Sequence, residues 1–250
     1  MDRLSHRQTP SDMKVQLPPL EPVASMAERT AERLREHIFQ GQLLPGMSLP
    51  EIKLAEAFRV SRNTVRDAFR ILISENLLAY AMHRGVFVRQ LTTEDLHDIY
   101  ASRRELELGA LESFDHATRG GAPTDLSHLA KMVEGAQRAA AEERWSEVGT
   151  ANARFHEEIV AFLGSPRRRQ FFRALMTELR LGLCAMPDAR AMHEPYMSWN
   201  RRILAVLVEG QTAEARRELE RYLREAERQA AEAVRDEGQA GVGTGGNGGS

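Results

Sequence analysis

The sequence predicts a mainly α-helical protein, in which a small helix-turn-helix unit with a β-hairpin precedes an all-α bundle of antiparallel helices. Three patterns indicate this fold class. Residues 49–70 contain two short amphipathic helices separated by a tight turn. Runs of β-forming residues then flank Arg84 and Gly85, as they do in a hairpin. After Gln90 the apolar residues recur only at helical spacing.

The first helix follows a stretch without periodicity. Residues 1–23 combine Ser, Pro and mixed charges, which predicts a disordered N-terminal arm. The run MAERTAERLREHIF, residues 26–39, predicts a helix that ends before Gly41. Pro45 and Gly46 predict a loop before the next helix. We place the whole helix-turn-helix unit at residues 24–90.

The second helix of the helix-turn-helix pair has two chemically different faces. Ser61 is a typical N-cap residue, because its hydroxyl can accept a hydrogen bond from a free N–H group of the first turn. The apolar face is formed by residues at i, i+3, i+4 and i+7, namely Val65, Ala68, Phe69 and Leu72. Another face carries arginines at intervals of four and two polar residues near the helix start: Arg62, Arg66, Arg70, Asn63 and Thr64.

A helix with an apolar back and an Arg, Asn and Thr front is suited to insertion into the major groove of DNA. Arginines four residues apart also form ordinary solvated helix faces, so their spacing alone leaves both interpretations open. The preceding helix and the following hairpin favour DNA binding, because this order of elements is that of a winged helix. Arg84, near the tip of the predicted wing, would then contact the minor groove or the DNA backbone.

Residues 41–88 resemble the N-terminal domain of the GntR family of bacterial transcription regulators. The resemblance extends over the segment GQLLPGMSLPEIKLAEAFRVSRNTVRDAFRILISENLLAYAMHRGVFV. It implies that the first turns of the recognition helix contact DNA and that Gly85 lies at the wing tip. The full predicted DNA-binding set is Lys53, Ser61, Arg62, Asn63, Thr64, Arg66, Arg70, Arg84 and Gly85.

The chain departs from the family pattern at three places. Ile52 stands where many members have a DNA-contacting arginine, and the adjacent Lys53 lacks the planar donor geometry of arginine. Arg59 and Asn76 replace two turn glycines. A left-handed conformation at Arg59 costs about 1 kcal/mol relative to glycine. These changes bear on which operator sequence is read.

Composition predicts a cytoplasmic protein, and its Lys and Arg must be concentrated locally if it binds nucleic acid. The formal net charge is −2 and the pI is about 6.5, so no global basic character exists. Residues 49–90 contain seven Lys and Arg against four Asp and Glu, which is a modest excess of positive charge. Affinity for DNA would therefore depend on two copies of the domain acting together. Cys184 is the lone cysteine, which excludes an internal disulfide framework. No apolar run is long enough to predict a membrane helix or a secretion signal.

The second part, residues 91–237, is predicted to be all-helical. The capping residues Thr92 to Asp95 begin a helix that runs to about Asp115. Further helices are predicted at about 125–142, 145–163, 167–186, 191–209 and 212–236. Gly-rich residues 238–250 predict a flexible tail. This layout resembles the FCD-type effector domain of FadR-like GntR regulators, in the stretches LTTEDLHDIYASRRELELGALE, NARFHEEIVAFLGSPRRRQFFRAL and WNRRILAVLVEGQTAEARRELERYL.

The FCD resemblance implies a pocket between the helices. Asn152 and His156 stand where many members have an Asp and a His, and Asn200 and Tyr222 stand where two further histidines complete a divalent-metal site. Amides and a neutral phenol are poor substitutes for those ligands, so the sequence predicts a pocket without metal or other cofactor. His156 alone is also explained as a buried, hydrogen-bonded core residue.

Arg103 matches a family arginine that faces the cavity, where a carboxylate effector would be its partner. A surface salt bridge with Glu107, one helical turn later, is the alternative. The predicted ligand-binding set is Arg103, Asn152, His156, Asn200 and Tyr222.

The sequence therefore predicts a ligand-responsive transcription regulator, most simply a repressor, that binds a near-palindromic operator as a homodimer. Its predicted partners are double-stranded DNA, a second copy of the chain and a small organic acid. A helical metalloenzyme using His156, Glu157 and Glu158 is an alternative, which the absence of a two-histidine zinc motif, a nucleophile elbow and a phosphate loop disfavours. A DNA-binding regulator without any ligand is a third interpretation.

Overall fold

The computed structural model describes residues 24–121, 125–183 and 188–242, with side chains as far as residue 235. Its elements in chain order are α1 (Met26–Phe39), α2 (Glu51–Phe58), α3 (Arg62–Ser74), β1 (Leu78–Ala81), β2 (Gly85–Val88), α4 (Thr93–Arg119), α5 (Ser127–Ala141), α6 (Trp145–Ala161), α7 (Pro166–Leu183), α8 (Ala189–Val208) and α9 (Thr212–Val242). The predicted fold class, mainly α with one small hairpin, is confirmed. The predicted arm, Cys184 and residues 243–250 lie outside the described residues.

Residues 24–90, the winged unit, are built around the packing of α1 on α3. The Ser25 hydroxyl accepts a hydrogen bond from the Glu28 N–H (3.1 Å), and the Glu28 carboxylate accepts one from the Ser25 N–H (2.6 Å), which fixes the start of α1. The shared core contains buried side chains of both helices: Leu34, Ile38, Val65, Ala68, Phe69 and Leu72. The predicted apolar stripe of α3 is thereby confirmed.

Two left-handed residues end the helices of the helix-turn-helix pair. Arg59 follows α2 with φ 54° and ψ 46°, and Asn76 follows α3 with φ 59°. Both stand where the family resemblance expects glycine, and asparagine tolerates this conformation better than arginine does. The turn geometry is therefore kept without glycine, at a cost of about 1 kcal/mol at Arg59.

The wing is a short antiparallel hairpin. β1 pairs with β2 in the register Leu78 to Val88 and Ala81 to Gly85. Gly85 has φ +76°, a conformation that a residue with a side chain rarely adopts. An isolated bridge from Ser48 to Phe87 ties the hairpin to the loop before α2, so the wing is held against the helix-turn-helix.

Beyond Gln90 the described residues form six helices, α4–α9, and we call this part the helical bundle. Thr92 caps α4, since its hydroxyl accepts a hydrogen bond from the Asp95 N–H (3.1 Å). The bundle core joins large apolar side chains of several helices: Tyr100, Leu111, Phe155, Ile159, Ile203, Leu219 and Leu223. α9 runs to Val242, so the first five residues of the predicted tail are helical instead. In the described ranges, no helix is long and apolar enough to cross a membrane.

α7 joins the helical bundle to the winged unit. Leu181 is fully buried within the core of the winged unit. The Glu178 carboxylate accepts a hydrogen bond from the Asn76 side-chain amide (3.0 Å) and forms an ion pair with Arg89. Arg89 also pairs with Asp95 at the start of α4. One helix of the bundle thus contacts both the end of α3 and the segment that follows the wing.

Candidate nucleic-acid interface and ligand cavity

The exposed face of α3 begins with a capped and polar first turn. The Ser61 hydroxyl accepts a hydrogen bond from the Thr64 N–H (3.0 Å) and lies 2.8 Å from the Thr64 hydroxyl. Arg62 and Asn63 are exposed immediately after this cap. Because Val65 is fully buried on the opposite side, the first turn presents its polar side chains outward on a fixed base.

The arginines of this face differ in their partners. Arg66 Nε lies 2.8 Å from a carboxylate oxygen of Glu51 on α2, and Arg70 pairs with Asp67 at 2.9 Å. In the part of the chain that the structure describes, Arg62 has no ion-pair partner. Exposed pairs contribute about 0–1 kcal/mol, so a phosphate group can replace either carboxylate. Arg62 would need no such exchange to contact a phosphate group.

The other predicted DNA-binding residues surround this helix. Lys53 is exposed on α2 beside Ile52, which is itself 51% exposed. Arg84 is exposed at the wing, but its guanidinium donates to the Gly46 carbonyl and lies 4.1 Å from the centre of the Phe87 ring. Arg84 therefore braces the wing against the preceding loop in this conformation, and it must leave that loop to enter a groove.

A cavity of about 630 Å³ lies between the helices of the bundle, within the range of about 300–1,000 Å³ typical of small-molecule sites. Three of the predicted ligand-binding residues line it: Arg103 on α4, Asn152 on α6 and Tyr222 on α9. His156 and Asn200, the other two, are not part of the lining and are buried behind it. The sequence thus brings all five together, but only three face the cavity.

Arg103 and His156 share one buried carboxylate. Arg103 Nε donates to Glu107 Oε1 (2.8 Å), and the His156 ring nitrogen Nδ1 lies 2.5 Å from Glu107 Oε2. The exposed fractions of the Arg103 and Glu107 side chains are 2% and 0%. The predicted pair between Arg103 and Glu107 exists, but the surface location expected for it is wrong, because α4 buries this face in the bundle.

Burial and charge set the protonation of this cluster. Burial alone would raise the pKa of Glu107, but Arg103 and then His156 more than offset it and hold the pKa below its usual value. Burial lowers the pKa of His156 in spite of Glu107. The ring is then neutral at pH 7, with Nδ1–H donating to Glu107 and Nε2 left as an acceptor. The cluster carries the two charges of Arg103 and Glu107.

Asn152 connects the remaining members. Its Nδ2 donates to the Tyr222 hydroxyl oxygen (2.9 Å), and its Oδ1 accepts from Asn200 Nδ2 (2.6 Å). The His156 and Tyr222 rings lie with their centres 4.6 Å apart. Burial raises the pKa of Tyr222 to about 12, even though Arg103 acts in the opposite direction. The phenol is therefore neutral and serves as a hydrogen-bonding group in the cavity wall.

Three buried polar atoms in this cluster have no hydrogen-bond partner among the residues that the structure describes: Arg103 Nη2, His156 Nε2 and Asn200 Oδ1. Leaving a buried donor or acceptor unpaired costs about 1–3 kcal/mol. Arg103 is the one of these three whose residue lines the cavity. Nη2 itself is buried, so a ligand carboxylate in the cavity would supply the missing acceptor only after a shift of the Arg103 side chain.

These residues do not fit a divalent metal ion. The only imidazole among them shares Glu107 with a guanidinium, and the neutral phenol and amides already bond to one another. A cation placed here would lie beside the permanent charge of Arg103. Among the described residues, no group of three His, Cys, Asp or Glu side chains could hold a metal.

The sequence did not reveal several contacts that the structure places at these sites. Glu107 was expected to pair with Arg103, but not to share its buried carboxylate with His156. Glu51 pairs with Arg66 across 15 residues of chain. His193 lines the cavity, where burial and then Arg180 lower its pKa to about 4. The i, i+4 spacing of Arg103 and Glu107 was a usable signal. Nothing local in the sequence indicates the other contacts, because they join distant helices.

Two family descriptions match the chain. Residues 26–88 match "Bacterial regulatory proteins, gntR family", and residues 98–225 match "FCD domain". The first range contains α1 to β2, with the whole exposed face of α3. The second contains the cavity-lining Arg103, Asn152 and Tyr222.

Solved structures and curated proteins give the same likeness. A GntR transcriptional regulator from Rhodococcus sp. RHA1 is 39% identical, with a TM-score of 0.74, over 82% of this chain and 96% of its own. The HTH-type transcriptional regulator BphR of Paraburkholderia xenovorans (strain LB400) is 28% identical over 190 residues, 72% of this chain and 76% of BphR. The gluconate operon transcriptional repressor of Bacillus licheniformis is 35% identical over 111 residues, 44% of this chain and 45% of that repressor.

Proposed function

The chain belongs to the GntR family of bacterial transcription regulators and carries an FCD domain, and we propose that it is a homodimeric repressor released from its operator by a small carboxylate. The family and its relatives are regulators and not enzymes, so the metalloenzyme alternative is discarded. A chromosomal target implies action in the bacterial cytoplasm. The observation that carries the proposal is the exposed polar face of α3, braced by a buried apolar stripe.

We assign DNA contact to the predicted set on α2, α3 and the wing. Arg62, which has no ion-pair partner in the described chain, reads guanine or grips phosphate at the start of α3. Arg66 does the same after exchanging Glu51 for DNA, and Asn63 and Thr64 add contacts to base edges or backbone. In a homodimer, two copies of α3 would enter successive major grooves about 34–36 Å apart, which requires a near-palindromic operator.

The effector would bind in the cavity of the bundle. Arg103 supports a carboxylate, because its buried Nη2 is a charged donor without a partner among the described residues. Tyr222 and Asn152 add neutral hydrogen-bonding groups beside it. A relative named as the repressor of the gluconate operon supports an organic acid as the ligand class. To convert a population of 1:99 into 99:1, the ligand must prefer one state by about 5.5 kcal/mol.

A ligand-free regulator is the second candidate, and one observation favours it. Glu107 already neutralises Arg103 inside the bundle, so the arginine does not require an external anion. The bundle would then serve only for dimerisation. Thermal melts against a panel of carboxylates discriminate between the two, since a ligand that binds the native state alone raises the melting temperature. Stabilisation that disappears in Arg103→Met supports the carboxylate, and no stabilisation by any compound supports the ligand-free regulator.

The DNA-binding proposal is tested by selecting duplexes from a random library with the purified full-length protein. We expect enrichment of a near-palindromic site. Arg62→Ala should then weaken binding to that site by about 5- to 150-fold, the equivalent of 1–3 kcal/mol. Arg33→Ala is the matched control, because Arg33 is also exposed but lies on α1. The proposal fails if no duplex is enriched at low ionic strength.

A further inference from the structure

The ligand cavity is not confined to the helical bundle. Phe39, the last residue of α1, and Gln40, which follows it, line the same cavity as Arg103. Both belong to the winged unit, so part of the cavity wall is supplied by the segment that carries the DNA-binding helices. Phe39 is partly buried and Gln40 is exposed, which places this contribution at the rim of the cavity.

The rim is in contact with α7. The guanidinium carbon of Arg180 lies 4.6 Å from the centre of the Phe39 ring, within the range of a cation–π contact. His193, on α8, lines the same cavity and is close enough to Arg180 for that charge to help lower its pKa to about 4. At neutral pH the rim therefore offers an aromatic ring, a neutral imidazole, a primary amide and the guanidinium of Arg180 as ligand contacts.

Much of the cavity wall is apolar. Large side chains of α7, α8 and α9 contribute to it: Phe172, Met176, Leu179, Met192 and Tyr196 with Ala226. Methionines adapt their shape to different ligands. The cavity thus combines the buried guanidinium of Arg103, a set of apolar wall side chains and a rim made by the winged unit.

We infer that the effector is an elongated carboxylate whose anionic group binds Arg103 and whose apolar body reaches Phe39 and Gln40, so that it touches the DNA-binding unit directly. The inference rests on the proposed function of the cavity. It adds that the winged unit is part of the effector site. A short acid would occupy the Arg103 region and leave the rim untouched.

This arrangement gives the ligand a direct effect on the recognition helix. Leu34 and Ile38 of α1 pack in one core with Val65 and Phe69 of α3, so α1 and α3 move as one body. A ligand bound between α1 and α7 favours the orientation of the winged unit that fits it. If operator DNA favours another orientation, the ligand weakens DNA binding, and DNA must weaken ligand binding by the same factor.

The test uses a series of phenylalkanoates from phenylacetate to 6-phenylhexanoate, titrated calorimetrically into the full-length protein. In the wild type we expect affinity to rise by up to about fourfold for each methylene that becomes buried. Gln40→Ala and Phe39→Leu should remove at least about threefold of the affinity for 6-phenylhexanoate and leave phenylacetate unchanged. Gln42→Ala is the matched control, because Gln42 is exposed on the same loop and is not part of the lining. Melting temperatures verify that each variant folds.

The outcomes separate this inference from the function on which it rests. If affinity depends on Arg103 but neither on chain length nor on the rim variants, the inference is wrong and the carboxylate site stands. If no phenylalkanoate binds, both the carboxylate site and the inference fail, while selection of operator DNA still decides the regulator function. A rim variant that weakens 6-phenylhexanoate and phenylacetate equally would also contradict the inference.

Discussion

Replacing Glu107 by glutamine should destabilise the helical bundle strongly, because this carboxylate is the only acidic partner of two buried groups in the described cluster. Glu107 is fully buried and accepts from Arg103 (2.8 Å) and His156 (2.5 Å). Glutamine keeps the shape and one carbonyl oxygen. It loses the negative charge, and its NH₂ group faces a second donor instead of accepting from it.

The expected loss follows from burial. Breaking a buried ion pair by removing one partner costs about 3–5 kcal/mol, because the other charge remains uncompensated. We expect a loss of about 3 kcal/mol, the lower end of this range, because His156 is neutral and still has an acceptor in the glutamine carbonyl oxygen. For a chain of this size that corresponds to a fall in melting temperature of about 6–12 °C. The double variant Arg103→Met with Glu107→Gln removes both charges and should be more stable than Glu107→Gln alone.

Urea unfolding and thermal melts of the four proteins of this cycle measure the effect. Glu194→Gln is the control, because Glu194 forms an i, i+4 pair with Arg190 at the surface. That variant should melt as the wild type does. The reasoning is refuted if Glu107→Gln costs less than about 1 kcal/mol, or if the double variant is no more stable than the single one.

Three further predictions concern other contacts. Glu51→Gln frees Arg66 from its ion pair and removes a negative charge beside the DNA face, so anisotropy titrations at low salt should show tighter operator binding; unchanged affinity would remove Arg66 from the interface. Because the folded pKa of His193 is about 4 against an ordinary 6.5, its contribution to stability is complete above pH 6.5 and is lost as pH falls toward 4, with a slope of up to about 1.4 kcal/mol per pH unit. His193→Gln should flatten that part of the stability profile, and a profile identical to the wild type's would contradict the assignment. Glu178→Gln weakens the contacts to Asn76 and Arg89, so hydrogen exchange in the winged unit should accelerate, whereas equal exchange would show that the Glu178 contacts do not stabilise the winged unit.

Helical period and turn chemistry were sufficient to predict most of the elements. The described α1 coincides with the predicted run of residues 26–39, and the left-handed Arg59 falls where the family pattern expects a glycine. These features are local, because capping groups, apolar spacing and chain reversal act within a few residues. The prediction erred at the C-terminus, where α9 continues through residues 238–242 despite Gly238 and Gly241.

The sites depend on contacts that no local pattern contains. An arginine and a glutamate four residues apart are compatible with a helix surface or with a core, and only the packing of α6 and α9 over α4 decides that Arg103 is buried. In the same way, the pairing of Arg66 with Glu51 and the position of Phe39 at the cavity follow from the way separate helices meet. The sequence could nominate residues, but it could not decide which of them face the cavity.

α7 lines the cavity and also contacts the winged unit, so it connects the two. Thr177 and Arg180 line the cavity, Glu178 and Leu181 contact the winged unit, and Arg180 also contacts Phe39 at the rim. Positions three apart lie on one side of a helix, so these two pairs form adjacent but distinct faces. Because the helix is internally rigid, a ligand that displaces its cavity face also moves Glu178 against Asn76. A substitution of Thr177 should therefore alter ligand affinity first, and one of Leu181 should alter the response of DNA binding to ligand.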